Sequence, residues 1–129
     1  MSLLFLNILS SKSLYTTIKL VILNRMTVKT DHAAAALSAL GHPARLTLFR
    51  LLVRAGPEGL LVGEIAEHLD MPASTLAHHL RNLKQAGLVL QTRNGREVQN
   101  VADTGALREV LDFLMSECCT GVPALNLNA

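Results

Sequence analysis

Along the middle of the chain, apolar residues recur at steps of three and four, the spacing that places them on one face of a helix. An Ala-rich stretch that Thr30 or Asp31 would cap runs to Gly41, a residue suited to the left-handed position after a helix. Pro43 then stands where a first helical turn tolerates it, and Leu46, Phe49, Leu52 and Val53 predict a buried stripe reaching about Arg54. Gly56, Pro57 and Gly59 break the chain, and Val62, Ile65, Ala66 and Leu69 form the next stripe. Asp70, Met71 and Pro72 interrupt again. The following helix carries Leu76, Leu80, Leu83 and Ala86 on one side and stops before Gly87. Beyond it the period changes: Leu88 to Leu90 and Val98 to Val101 bracket Asn94-Gly95, the dipeptide of two-residue type I′ hairpins, which makes Arg93 and Arg96 the tip pair. A last helix is predicted from near Asp103 or Thr104, with Leu107, Val110, Leu111, Leu114, Met115 and Cys118 along one face.

The short, proline-containing gap between Leu69 and Leu76 is the turn of a helix-turn-helix, whose second helix projects its outer face into the major groove. On that outer face Ser74, His78, Arg81 and Gln85 lie opposite the leucine stripe, flanked by Thr75 and Asn82. Polar composition alone describes an ordinary solvated face equally well. The hairpin placed directly after the helix favours nucleic acid, because arginines at its tip can reach backbone phosphate or the minor groove. The expected fold is therefore mainly α with a β-hairpin wing, a winged helix-turn-helix. The apolar face of the last helix is longer than the core of a small domain covers, so the first and last helices are expected to form a homodimer with a symmetric pair of recognition helices.

At 129 residues the chain suits one domain. Half of its residues are hydrophobic but only 3% are aromatic, which suits helices packed through Leu, Val, Ile and Ala. With 17% charged residues and a positive mean hydropathy, it is not a disordered chain. Two cysteines, adjacent in sequence, cannot make a secreted disulfide framework, so a cytoplasmic protein is expected. Charge is distributed unevenly. Residues 1–25 carry +3 and the remainder −1, so the basic pI says nothing about partners. Within the remainder, residues 71–100 hold Arg81, Lys84, Arg93 and Arg96 against Glu97, whereas residues 101–129 hold Arg108 against four acids. A local basic surface beside an acidic helix is what a nucleic-acid contact next to a non-binding interface needs. In residues 1–25, Ser10 to Ser13 and Lys19 split the apolar run into pieces far short of the ~20 residues that span a bilayer. No basic region precedes Leu3 to Leu9, as a signal peptide requires. This segment is read as an N-terminal extension outside a domain of residues 26–129, with no membrane partner.

Leu40-Gly41-His42-Pro43-Ala44-Arg45-Leu46, Glu64-Ile65-Ala66, Ser74-Thr75-Leu76-Ala77-His78-His79-Leu80, Leu83 with Ala86-Gly87-Leu88-Val89, and Gly95-Arg96 occur in this order. Together this series, over about Asp31 to Cys119, resembles the ArsR/SmtB family of bacterial metalloregulatory repressors. The resemblance implies a homodimer that binds an inverted-repeat operator in double-stranded DNA and releases it when an inducer binds. It also implies that Ser74, Thr75, His78 and Arg81 face base edges and phosphates, with Arg93 and Arg96 in the wing. His79 lies nearer the apolar stripe and reads as a packing histidine. Among the inducer sites of the family, a cysteine pair in the third helix is absent, since Leu60 to Ile65 contains no thiol. Zinc and cobalt sites in the last helix need histidines, and none follows His79, which leaves Asp103 alone. Cys118 and Cys119 resemble members that bind trivalent arsenic through an adjacent pair plus a third cysteine, yet Thr120 to Ala129 contains none, and Leu125 or a neighbour stands in its place.

A soft trivalent arsenical takes thiolates, and two adjacent cysteines near a helix end can converge on one atom. Their own disulfide is disfavoured, because consecutive Cα atoms lie ~3.8 Å apart and ordinary disulfides span ~4.4–6.8 Å. Two thiols satisfy an organoarsenical whose third position is carbon, whereas arsenite would need a third ligand. The expected inducer is thus a trivalent arsenical, arsenite or methylarsenite, held by Cys118 and Cys119. Two other readings stand beside it: Cys118 as interface filling, and a thiol-based redox or reactive-sulfur sensor of the same fold, acting through an intersubunit or small-molecule disulfide. A structural zinc site would need about four ligands. Catalysis is not expected, since Ser74 and His78 face outward and His79 lies nearer the apolar stripe, an arrangement that fits neither a nucleophile with its base nor an open metal site.

Overall fold

A computed structural model describes residues 29–123 together with Thr16. Residues 1–25, apart from Thr16, and Leu125 with its neighbours therefore lie outside the described residues. Contacts divide the chain into two units, residues 1–34 and 35–129. Helix α1 is described over residues 29–40, and of its share in the first unit Ala33 is buried. Lys29 and Thr30 are already helical, so neither Thr30 nor Asp31 caps this helix, contrary to the sequence pattern.

In the second unit follow α2 (Pro43–Ala55), a single 3-10 turn (Gly56–Glu58), β1 (Leu60–Leu61), α3 (Val62–Leu69), α4 (Ala73–Gln85), β2 (Val89–Asn94), β3 (Glu97–Ala102) and α5 (Thr104–Met115). Helix α1 ends before Gly41 as predicted, but Gly41 does not take the left-handed conformation. Its terminal carbonyls are satisfied by a side chain instead: the Arg45 guanidinium donates to Ala39 O and Ser38 O. His42 caps α2, its Nδ1 accepting from Ala44 N at 3.2 Å ahead of Pro43 in the first turn. The inward face of α2 is Leu48, Phe49 and Leu52. Leu46 and Val53, predicted in the buried stripe, are exposed, because Leu48 takes the inward position with Phe49 and Leu52 and turns the stripe away from them.

These three residues form the core with Ile65 from α3, Leu76, Leu80 and Leu83 from α4, Leu88, Val89 and Val110. Burying Leu and Ile side chains of this size contributes about 1.5–3 kcal/mol each. The sheet has the order β1-β3-β2, antiparallel throughout. At its centre Asn100 is fully buried and satisfied: its amide nitrogen donates to Leu60 O (3.3 Å) and Val98 O (3.2 Å), and its oxygen accepts from Gln91 Nε2 (2.8 Å). β1 is a two-residue strand the periodicity missed. It pairs Leu60 with Asn100 and Leu61 with Gln99, tying the base of the hairpin to the start of α3.

The hairpin forms, but its turn is one residue later than predicted. Asn94 pairs with Glu97, so Gly95-Arg96 is the two-residue loop, and Arg93 faces Val98. Arg93 and Arg96 are therefore not a tip pair. Only Gly95 of the two loop residues has positive φ (64°), the pattern of a II′ turn, whereas the predicted I′ turn needs it at both positions. α5 is capped by Asp103, whose carboxylate accepts from Ala106 N at 2.9 Å, and it ends at Met115. Cys118 thus lies beyond the helix in a turn and does not extend its apolar stripe.

Candidate nucleic-acid interface and cysteine pair

The turn of the helix-turn-helix is built by backbone geometry. Glu64 fixes the start of α3 by accepting from Leu61 N at 2.8 Å. At the other end Asp70 adopts a left-handed conformation (φ 47°, ψ 51°), its N–H returning to Ala66 O and Glu67 O. Asp tolerates this region better than most residues because its short side chain bonds locally. Pro72, which cannot donate, then supplies the carbonyl that accepts from Leu76 N (3.0 Å) and opens α4. α4 buries Leu76, His79, Leu80 and Leu83 and leaves Ser74, Thr75, His78 and Arg81 exposed. Asn82 is half-buried and donates to His78 Nε2 at 3.3 Å, which orients that imidazole.

Arg81 and Arg93 come together. They line an open groove of about 440 Å³ between α4, the start of α3 and the wing, with Lys84, Gln91, Ala77, Leu80, Val62 and Val98. Three cations and no carboxylate face this groove, so it attracts an anionic backbone. The sequence reading counted Lys84 in the basic segment without placing it among the contact residues, and it missed Gln91. Lys84 is the residue three after Arg81 on the same helix, a neighbour that the helical period alone could have flagged. Arg96 sits apart in the exposed turn at the wing tip, and Ser74, Thr75 and His78 lie outside the groove. Gln85, grouped with them by period, instead lines a separate concavity with Ser38, Arg45 and Asn82.

Behind the exposed face, His79 is buried with its ring 5.1 Å from that of His42 and 5.9 Å from that of His78. Burial lowers its pKa from the ordinary histidine value, and the charges of His42, Arg45 and His78 lower it further. Its Nδ1 has no hydrogen-bond partner among the described residues. His79 is therefore a neutral packing group that joins the start of α2 to α4.

At the other end of the chain, Cys118 and Cys119 are free and exposed, and their sulfurs stand 3.0 Å apart. Cys119 takes a left-handed backbone (φ 65°), and Cys118 N bonds back to Met115 O at 3.1 Å. The bond with the Cys119 thiol raises the Cys118 pKa above the ordinary thiol value, with a smaller contribution from desolvation. Among the described residues no group of three or more His, Cys, Asp or Glu is arranged to hold a metal ion.

The pattern described as a helix-turn-helix domain matches residues 40–92, from the end of α1 to the middle of β2. The uncharacterised HTH-type transcriptional regulator MJ1325 of Methanocaldococcus jannaschii is 37% identical over 67 residues, 52% of this chain and 73% of that protein. The chain belongs to the helix-turn-helix transcriptional regulators. Its fold is similar to the homodimeric winged helix-turn-helix DNA-binding domain of Mb0332 from Mycobacterium bovis, a possible ArsR-family regulator. The TM-score is 0.58 at 23% identity, over 78% of this chain and 94% of that one. It is also similar to the structure of a possible transcriptional regulator for arsenical resistance, with TM-score 0.55 and 28% identity over 63% of this chain and 81% of the other. As a member of that class the chain is a DNA-binding transcriptional regulator and not an enzyme. No described helix is long and apolar enough to cross a membrane.

Proposed function

We propose that this regulator is a homodimeric repressor that leaves its operator when a trivalent arsenical binds Cys118 and Cys119. The observation that carries the reading is the pair of exposed, free thiols with sulfurs 3.0 Å apart just beyond α5. Both thiols are exposed in the single chain and so are open to a ligand. The reaction balances without redox change: methylarsonous acid, CH3As(OH)2, exchanges two As–O bonds for two As–S bonds. Each S–H proton leaves with a hydroxyl as water, and arsenic stays trivalent. Two thiols complete that product, whereas arsenite keeps one hydroxyl or takes a third ligand.

On the DNA side, Ser74, Thr75, His78 and Arg81 of α4 read base edges and phosphates, and Arg93 and Arg96 place the wing on the backbone. Leu111, Leu114 and Met115 on α5 and Leu37 on α1 are exposed apolar residues available to a second copy. A dimer would set two α4 helices about one DNA turn apart, as an inverted repeat requires. Release follows if the arsenical binds the operator-free arrangement more tightly, and a coupling of ~1–3 kcal/mol would change DNA affinity by roughly 5–150-fold.

The test is fluorescence anisotropy of a labelled duplex taken from upstream of the coding sequence, bound by reduced protein and titrated with arsenite, methylarsenite and zinc. Release by the arsenicals alone is expected, and Cys118→Ser with Cys119→Ser should bind the duplex normally but no longer release it. Continued release from that double variant would sink the thiol assignment.

A further inference from the structure

α2 contains three arginines and no acid. Arg45 is committed to the carbonyls that end α1, but Arg50 and Arg54 have no hydrogen bond or ion pair among the described residues. They sit one helical turn apart, where like charges repel unless an anion lies between them. Both line a half-open concavity of about 300 Å³ between α2 and α3, together with Thr47, Leu51, His68 and Leu69. No carboxylate lines it. The Thr47 hydroxyl proton is already donated to Pro43 O at 2.9 Å, so the free donors are the two guanidiniums and the His68 imidazole, beside an apolar wall of half-buried Leu51 and Leu69.

We propose that Arg50, Arg54 and His68 form a second anion seat, for a phosphoryl-type oxyanion, separate from the α4–wing groove. The two sites share no lining residue. Guanidinium forks match the oxygens of phosphate in pairs, and a volume near 300 Å³ is at the small end of ligand pockets, enough for one phosphoryl group with a short apolar substituent. Two sources offer that chemistry, a phosphate of bound DNA or a free phosphorylated small molecule.

Two measurements on the full chain distinguish them. In the first, NMR signals of the Arg50, Arg54 and His68 side chains are followed while inorganic phosphate replaces chloride at constant ionic strength, with no DNA present. In the second, the slope of log affinity against log salt is measured for a bound duplex in the wild type, in Arg50→Ala with Arg54→Ala, and in the charge-retaining Arg50→Lys with Arg54→Lys. Saturable shifts that the alanine variant loses, with its salt slope unchanged, assign the seat to a free phosphorylated ligand. A slope shallower by ~0.9 per lost phosphate contact in the alanine variant, restored by the lysine variant, assigns it to the DNA backbone. Linear, non-saturating shifts together with equal slopes in all three proteins would overturn the proposal.

Discussion

Gly59 is where a single methyl group should do most damage. Its backbone (φ 65°, ψ −164°) lies in a region that is essentially glycine-only. A Cβ built there would stand 2.2 Å from Asn100 O and 2.7 Å from Val101 Cγ2, and the first of these is backbone that cannot swing aside. Relief requires β3 to move away from β1, losing the Leu60–Asn100 pairing. Conformational strain costs about 1–3 kcal/mol, and each ladder hydrogen bond lost costs about 1 kcal/mol. Gly59→Ala should therefore destabilise the protein by about 3 kcal/mol or more, a large part of the ~5–15 kcal/mol that holds a domain folded. Two further variants separate the contributions. Gly95→Ala meets nothing within 4 Å but keeps a φ of 64°, so only strain remains, about 1 kcal/mol. Gly63→Ala, in helix α3 with open space around its Cβ, should stabilise by about 0.5 kcal/mol. Urea unfolding followed by circular dichroism at one fixed protein concentration measures all three. Because β3 lies between β1 and the outer wing strand β2, Gly59→Ala should also weaken DNA binding under conditions where it remains folded. A loss below about 1 kcal/mol, or one equal to that of Gly95→Ala, would refute the clash argument.

His79 binds its proton less readily in the fold than in the unfolded chain, so its contribution is intact above the ordinary histidine pKa of ~6.5 and declines as pH falls from there towards its lower folded value. Urea midpoints between pH 7.5 and 5 should show that decline in the wild type and a smaller one in His79→Leu, and equal profiles would remove His79 as its source. Arsenical exchange releases water and no net proton, so its affinity should be flat with pH up to the thiol range, extended upward at Cys118. Zinc capture must displace protons and should tighten as pH rises, and parallel pH series would expose a shared mechanism if both curves rose together. Leu111→Glu with Leu114→Glu should shift the sedimentation equilibrium towards monomer and weaken operator binding, and an unchanged mass would exclude α5 from the dimer contact. Asp103→Ala, which removes the α5 cap, should cost about 1 kcal/mol in the same urea assay.

How much of this molecule was legible in the sequence follows from how local each determinant is. α4 was read with its inward leucines, its exposed Ser74, Thr75, His78 and Arg81, and its stop at Gly87, because one helix with a long amphipathic stripe contains its own answer. α2 was read with the right ends and half of its inward face, Phe49 and Leu52 but not Leu48. Eight of its thirteen residues are Leu, Phe, Val or Ala, so periodicity fits more than one orientation, and packing against β3 and α4 selects Leu48 over Leu46 and Val53. The hairpin turn slipped by one position because Asn94-Gly95 and Gly95-Arg96 both place Gly95 at positive φ. The strand pairing that decides between them depends on Asn100, held from Leu60 forty residues upstream. β1 has two residues and no period at all, so nothing short of that pairing reveals it. Arg93 and Lys84 share a groove only because the hairpin folds back beside α4, so their association is tertiary. The cysteines were legible as a pair, but their position was not. The spacing from Leu111 and Leu114 carried Cys118 onto the helix, whereas α5 ends at Met115 and a left-handed Cys119 turns both sulfurs to solvent side by side. That displacement takes Cys118 off the apolar stripe of α5 and leaves both thiols accessible from solvent.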